Sequence, residues 1–91
     1  MKPEERENFR LAILRALDDN PTRWGLGLSA IAHHMLIYGY HSPTTDDLQA
    51  ELAYLEDKKL IAEALKGISP ENRAWRITAE GRDFIAKLTN E

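Results

Sequence analysis

The sequence predicts a mainly α-helical domain with a small β-hairpin, an α+β class with a three-helix core and a further helix at its carboxyl end. Three observations predict it. Leu48, Leu52 and Leu55 repeat at helical spacing behind a dense helix-start signal, Ser42-Pro43-Thr44-Thr45-Asp46-Asp47. Leu60-Ile61-Ala62 follows at once as a short apolar run, and after a turn over Lys66–Asn72 the chain returns as Arg73-Ala74-Trp75-Arg76-Ile77. Phe9, Ala12, Ile13, Ala16 and Leu17 fall on one face of an earlier helix.

That first helix runs from about Glu4 to Leu17. Pro3 suits its start, and Glu4, Glu5 and Glu7 suit its positive end. Leu11 points away from the apolar face with Leu14 on its flank, a pair open to a partner. Asp18-Asp19-Asn20-Pro21 ends the helix, and Trp24-Gly25-Leu26-Gly27-Leu28 follows as a short, apolar, glycine-spaced run. Ser29 caps a second helix through about Tyr38, with Ile31, Met35 and Tyr38 on one side and Leu36 and Ile37 on the outer flank. Gly39 terminates it. The third helix spans about Pro43 or Thr44 to Lys59, closed by Lys58 and Lys59, whose charge suits a helix carboxyl end. Strands Leu60–Ala64 and Arg73–Ile77 lead into a last helix, Thr78–Leu88, in which Phe84, Ile85 and Leu88 supply apolar contacts.

With 91 residues, 43% hydrophobic and 30% charged, the chain has material for one core and reads as a single domain over residues 1–91; a deep substrate cleft is not expected at this length. It contains no cysteine, which excludes disulfides, thiol catalysis and cysteine-based zinc sites and fits a cytoplasmic location. The amino-terminal run Met1–Arg6 has no apolar stretch behind a basic start, so it does not read as a secretory signal. Trp24–Tyr40 holds no Asp, Glu, Lys or Arg, yet with three glycines and two histidines it is a poor membrane span. It reads instead as buried on more than one side, within the domain or against a second copy in a homodimer.

Catalysis is not expected, and no cofactor is implied. His33 and His34 are adjacent, so on a helix they diverge by about 100° and cannot jointly grip one metal. There is no H-E-x-x-H, no phosphate-binding glycine loop and no nucleophile elbow around Ser29, Ser42 or Ser69. Asp46 and Asp47 sit in a polar helix start and not in a pocket of the kind that sets a catalytic carboxylate pair.

The run from Ser42 to Ile61, with a hydroxyl cap, leucines framing an acid and an apolar pair after it, is similar to the recognition-helix segment of bacterial winged helix-turn-helix regulators. Trp75-Arg76-Ile77-Thr78-Ala79-Glu80-Gly81 resembles the closing element of the same family. Leu28–Tyr40 resembles small Mu-like phage proteins of winged-helix type. The likeness covers most of the chain, and it implies a minor strand at Trp24–Leu28 paired with the hairpin. It also implies a phage-related or prokaryotic DNA-binding regulator whose partner is double-stranded DNA. The residues implied are Thr44, Thr45, Gln49 and Ala50 in the major groove, and Lys66, Arg73 and Arg76 of the hairpin on flanking phosphate. Gln49 has the chemistry for a bidentate contact to adenine, and Ala50 or Ala53 for contact with a thymine methyl.

Charge pulls against that expectation. The net charge is −3, and residues 41–57 hold five acids with no Lys or Arg, while residues 58–91 hold seven bases and five acids. A carboxylate beside a phosphate repels it where a base would release a counterion. Asp46 and Asp47 have a sufficient cause as first-turn acids. The rival expectation is a protein-interaction module on the same scaffold, using the acidic third helix or the Leu11/Leu14 flank. By strand alternation Trp75 packs on the core with Arg73 and Ile77 on its side, while Arg76 faces oppositely.

Overall fold

The structure is a computed structural model and describes residues 2–21, 24–41, 43–65 and 73–89. Arg23, Ser42 and Lys66, together with the turn through Asn72, lie outside the described residues. Among those described, helices α1 (Pro3–Asp19), α2 (Leu28–His34), α3 (Thr45–Asp57) and α4 (Ala79–Thr89) accompany strands β1 (Leu26–Gly27), β2 (Ile61–Leu65) and β3 (Ala74–Ile77). The class is α+β, mainly helical with a small antiparallel sheet.

The strands order as β1-β3-β2, all antiparallel. Leu26 pairs with Trp75 and Gly27 with Ala74, so the short run after α1 is a minor strand on the hairpin's far edge. In the hairpin Ile61 pairs with Ile77 and Glu63 with Trp75; a bulge between Glu63 and Leu65 resets the register so that Leu65 meets Ala74. Ile61, Trp75 and Ile77 are buried in one cluster with Phe9, Ile13 and Leu17 of α1, Ile31 and Met35, and Leu48, Leu52 and Leu55 of α3. The leucine stripe and the strand alternation therefore both face inward, as their spacing requires.

Three details depart from the sequence expectations, while the termination at Gly39 and the hydroxyl cap of α3 agree with them. Leu14 is not a flank open to a partner: it is 0% exposed. α1 packs against β3 and α4 as well as α2 and α3, so its apolar arc is wider than one face. The second helix is shorter than expected. It starts at Leu28 behind Gly27, with no side-chain cap from Ser29, and past His34 the chain tightens into a 3-10 turn over Met35–Tyr38. Gly39, at φ 90°, closes that turn in the left-handed region that favours glycine, and the Tyr40 amide donates to the Met35 carbonyl. The cap of α3 is Thr44, whose Oγ1 accepts the Asp47 N–H at 3.1 Å. Finally, Phe84 and Leu88 of α4 are 42% and 45% exposed, and only Ile85 packs on the core cluster. α4 lies on α1, and no further layer among the described residues covers its outer side.

Candidate nucleic-acid interface

With Leu48, Leu52 and Leu55 turned inward, helical geometry sends Asp46, Ala50, Ala53 and Asp57 outward, with Gln49 and Tyr54 beside them, and all six are exposed. Thr45 is exposed on the first turn. Thr44 is exposed too, but its Oγ1 already serves as an acceptor for the Asp47 amide, leaving its O–H as a donor to a ligand. Thr44, Thr45, Gln49 and Ala50 thus share the amino-terminal half of one solvent-facing surface.

Gln49, Ala53 and Glu56 of α3 face Arg73 and Trp75 across a shallow cleft of about 270 Å³. Gln49 and Arg73 therefore line the same cleft. Its electrostatics are nearly self-contained. Arg73 donates to the Glu63 carboxylate of β2, lies 3.5 Å from the Glu56 carboxylate, and sets its guanidinium 5.1 Å from the Trp75 ring centroid. Two carboxylates and an aromatic face hold this cation in place. A phosphate must compete with both carboxylates to reach it.

Arg76 does not join this surface. It is exposed, alternates away from Trp75, and lines a separate cleft with Arg82 between the end of α1 and α4. Lys66 lies outside the described residues. Lys58 and Lys59 are exposed at the carboxyl end of α3, with the Lys58 Nζ 5.7 Å from the Tyr54 ring. Lys59 adopts a positive φ of 63°, which turns the chain from α3 into β2.

On the other side of α3, α1 contributes charges that the sequence reading did not connect. Arg10 donates its Nε–H to Glu51 and stacks its guanidinium 3.5 Å from the Tyr54 ring centroid. Arg6 lies 3.6 Å from the same carboxylate. One signal was available in the sequence: Glu51 falls three residues after Leu48, on the leucine side of α3, where a carboxylate must find a partner. Nothing in a single sequence names Arg10 as that partner.

Asp46, Asp47 and Asp57 form no ion pair among the described residues. The exposed half of α3 therefore combines polar, uncharged side chains near its start with uncompensated acids at both ends. No protein-family model, no curated protein and no solved structure matches this chain. Among the described residues no helix is long and apolar enough to cross a membrane.

Proposed function

We propose that the chain is a small winged helix-turn-helix domain that binds double-stranded DNA, a non-catalytic transcription regulator of prokaryotic or phage-related type. The observation that carries this reading is the free outer surface of α3. Thr44, Thr45, Gln49 and Ala50 stand exposed there on a rigid, capped helix, and the hairpin follows directly. The element order and the β1-β3-β2 sheet support it. In this reading α3 occupies the major groove, and the hairpin, with Lys66 and Arg73, flanks it on the backbone. Arg76 sits in a different cleft and would touch phosphate only beyond that contact.

The test is a salt series of anisotropy titrations with a random duplex. Measurable affinity at low salt that falls steeply as salt rises supports DNA binding. Ala50→Glu, which adds a charge to the exposed surface without touching the core, should lower that affinity about tenfold or more. No affinity for duplex at any salt removes the reading.

A second reading has its own observation. Asp46, Asp47 and Asp57 form no ion pair among the described residues, and Arg73 is already held by Glu56 and Glu63. That surface fits a basic protein partner, and it gains weight if duplex binding fails. Pairing of two copies is a separate proposal that rests on Leu36 and on Ile37, which is 77% exposed on the uncharged stretch. Sedimentation of Ile37→Glu against the parent chain tests it; an unchanged monomer in both rules it out.

A further inference from the structure

Six arginines lie among the described residues; Arg15, which also forms no ion pair there, lines a different cleft, and the other five divide into two groups. Arg6, Arg10 and Arg73 each lie in an ion pair with a glutamate. Arg76 of β3 and Arg82 of α4 form no ion pair among the described residues, yet they come from different elements to line one cleft of about 120 Å³. Asn20, Gly25, Trp75 and Ile77 contribute to its walls, and no carboxylate does among the described residues. In a chain of net charge −3, two guanidiniums in one concavity are a local positive excess that favours an anion.

We propose that this cleft is a phosphate-binding site held by Arg76 and Arg82. Guanidinium is the side chain best shaped for phosphate, because its planar fork gives two parallel charge-assisted hydrogen bonds. The backbone positions of the two arginines are set relative to each other by the joint between β3 and α4. There the Thr78 Oγ1 donates to the Lys59 carbonyl at 2.7 Å and accepts the Gly81 N–H at 3.1 Å. The Thr78 amide also donates to the Leu60 carbonyl at 3.0 Å. A joint bonded three ways sets the two backbone positions before ligand arrives, so that only the side chains remain to be ordered on binding.

One feature of the cleft opposes an anion: the carboxyl end of α1, at Asn20, brings a dipole equivalent to about half a negative charge. Its effect is reduced, because the Asn20 side-chain amide donates to the Ala16 carbonyl at 2.8 Å. Asp19 at the same end accepts the Tyr38 hydroxyl on a different element. Two full positive charges outweigh the remaining fraction. The ligand chemistry is a phosphate group, which a free phosphate and a nucleic-acid backbone present alike, so the proposal stands apart from the DNA reading.

The experiment uses the full chain, with amide chemical shifts followed during titration with inorganic phosphate at constant ionic strength. Expected are saturable shifts at Gly25, Arg76, Ile77 and Arg82, weakened about tenfold or more in Arg82→Gln, with Arg82→Lys intermediate. Circular dichroism of each variant checks the fold. Absence of saturable shifts at the cleft overturns the proposal, as do shifts that follow Lys58 and Lys59 equally. A duplex arm then names the source. If Arg82→Gln also weakens duplex binding, the phosphate belongs to nucleic acid; if duplex binding is unchanged while the cleft shifts are lost, it is a free phosphate. A parent chain that ignores duplex sinks the DNA reading and leaves the inorganic phosphate arm to decide this site.

Discussion

Arg10 on α1 and Glu51 on α3 form a charged hydrogen bond across the helix interface, and Glu51 is buried on the same side of α3 as Leu48, Leu52 and Leu55. The pair ties the outer surface of α3 to α1, because the same guanidinium covers the Tyr54 ring. Removing one partner leaves the other charge poorly solvated. Glu51→Ala should therefore cost about 2 kcal/mol, read as a lower urea midpoint at unchanged m-value. The double variant Arg10→Met, Glu51→Leu should recover most of that loss, since well-packed apolar pairs replace such ion pairs at little cost. Additive losses in the double variant would refute the coupling.

At Gly81 the backbone of α4 packs directly against the Leu60 carbonyl of the α3–β2 turn. A Cβ built there meets the Leu60 carbonyl oxygen and lies 2.7 Å from Ile77 Cγ1. Backbone cannot yield as a flexible side chain can, so Gly81→Ala should destabilise by about 1–3 kcal/mol despite alanine's better helix propensity. Thermal unfolding checks it; an unchanged or higher midpoint contradicts the close contact.

Thr44 has two separable roles, one in folding and one in the proposed interface. Its Oγ1 caps α3 through the Asp47 amide, so Thr44→Ala should lose about 1 kcal/mol while Thr44→Ser keeps the cap. Equal stability of the alanine and serine variants would show that the cap contributes nothing.

Tyr38 gives a pH signature. Burial, the hydrogen bond to Asp19 and the negative charge of Asp19 push its pKa up from 10.0 to about 12. The folded chain therefore holds the phenol proton longer than the unfolded chain. Its contribution to stability is complete below pH 10 and is lost as pH rises from 10 towards 12. Absorbance titration should show one tyrosine ionising late, and that phase should vanish in Tyr38→Phe. A late phase that persists in the variant assigns it elsewhere.

The parts of this fold that were legible in the sequence are those governed by short-range pattern. The Leu48–Leu52–Leu55 stripe, the alternation that buries Trp75 and Ile77 and exposes Arg76, and the termination at Gly39 each follow from helical period, strand period or backbone freedom. The misses share a different cause. Leu14 is buried because β3 and α4 also pack on α1, and Phe84 and Leu88 are exposed because nothing packs beyond α4 among the described residues. How many neighbours surround a helix is not written in its own period.

The candidate interface divides the same way. Which residues of α3 face solvent follows from the apolar stripe, so Gln49, Ala50 and Ala53 were identifiable from spacing alone. Whether a given base is available to a ligand is set by what lies beside it in space. Alternation puts Arg73 and Arg76 on opposite sides of the strand, but it does not name the neighbours of either. Arg73 is held between Glu56 and Glu63, while Arg76 meets Arg82 from a different element.

By itself, then, this chain's sequence determined where its helices and hairpin lie and the inward stripes of α3 and β3, since these depend on interactions within a few residues. Only the tertiary structure decided which charges cancel and which remain. Coulomb energy depends on distance through space, and residues far apart in sequence, such as Arg10 and Glu51, become neighbours only when the core closes.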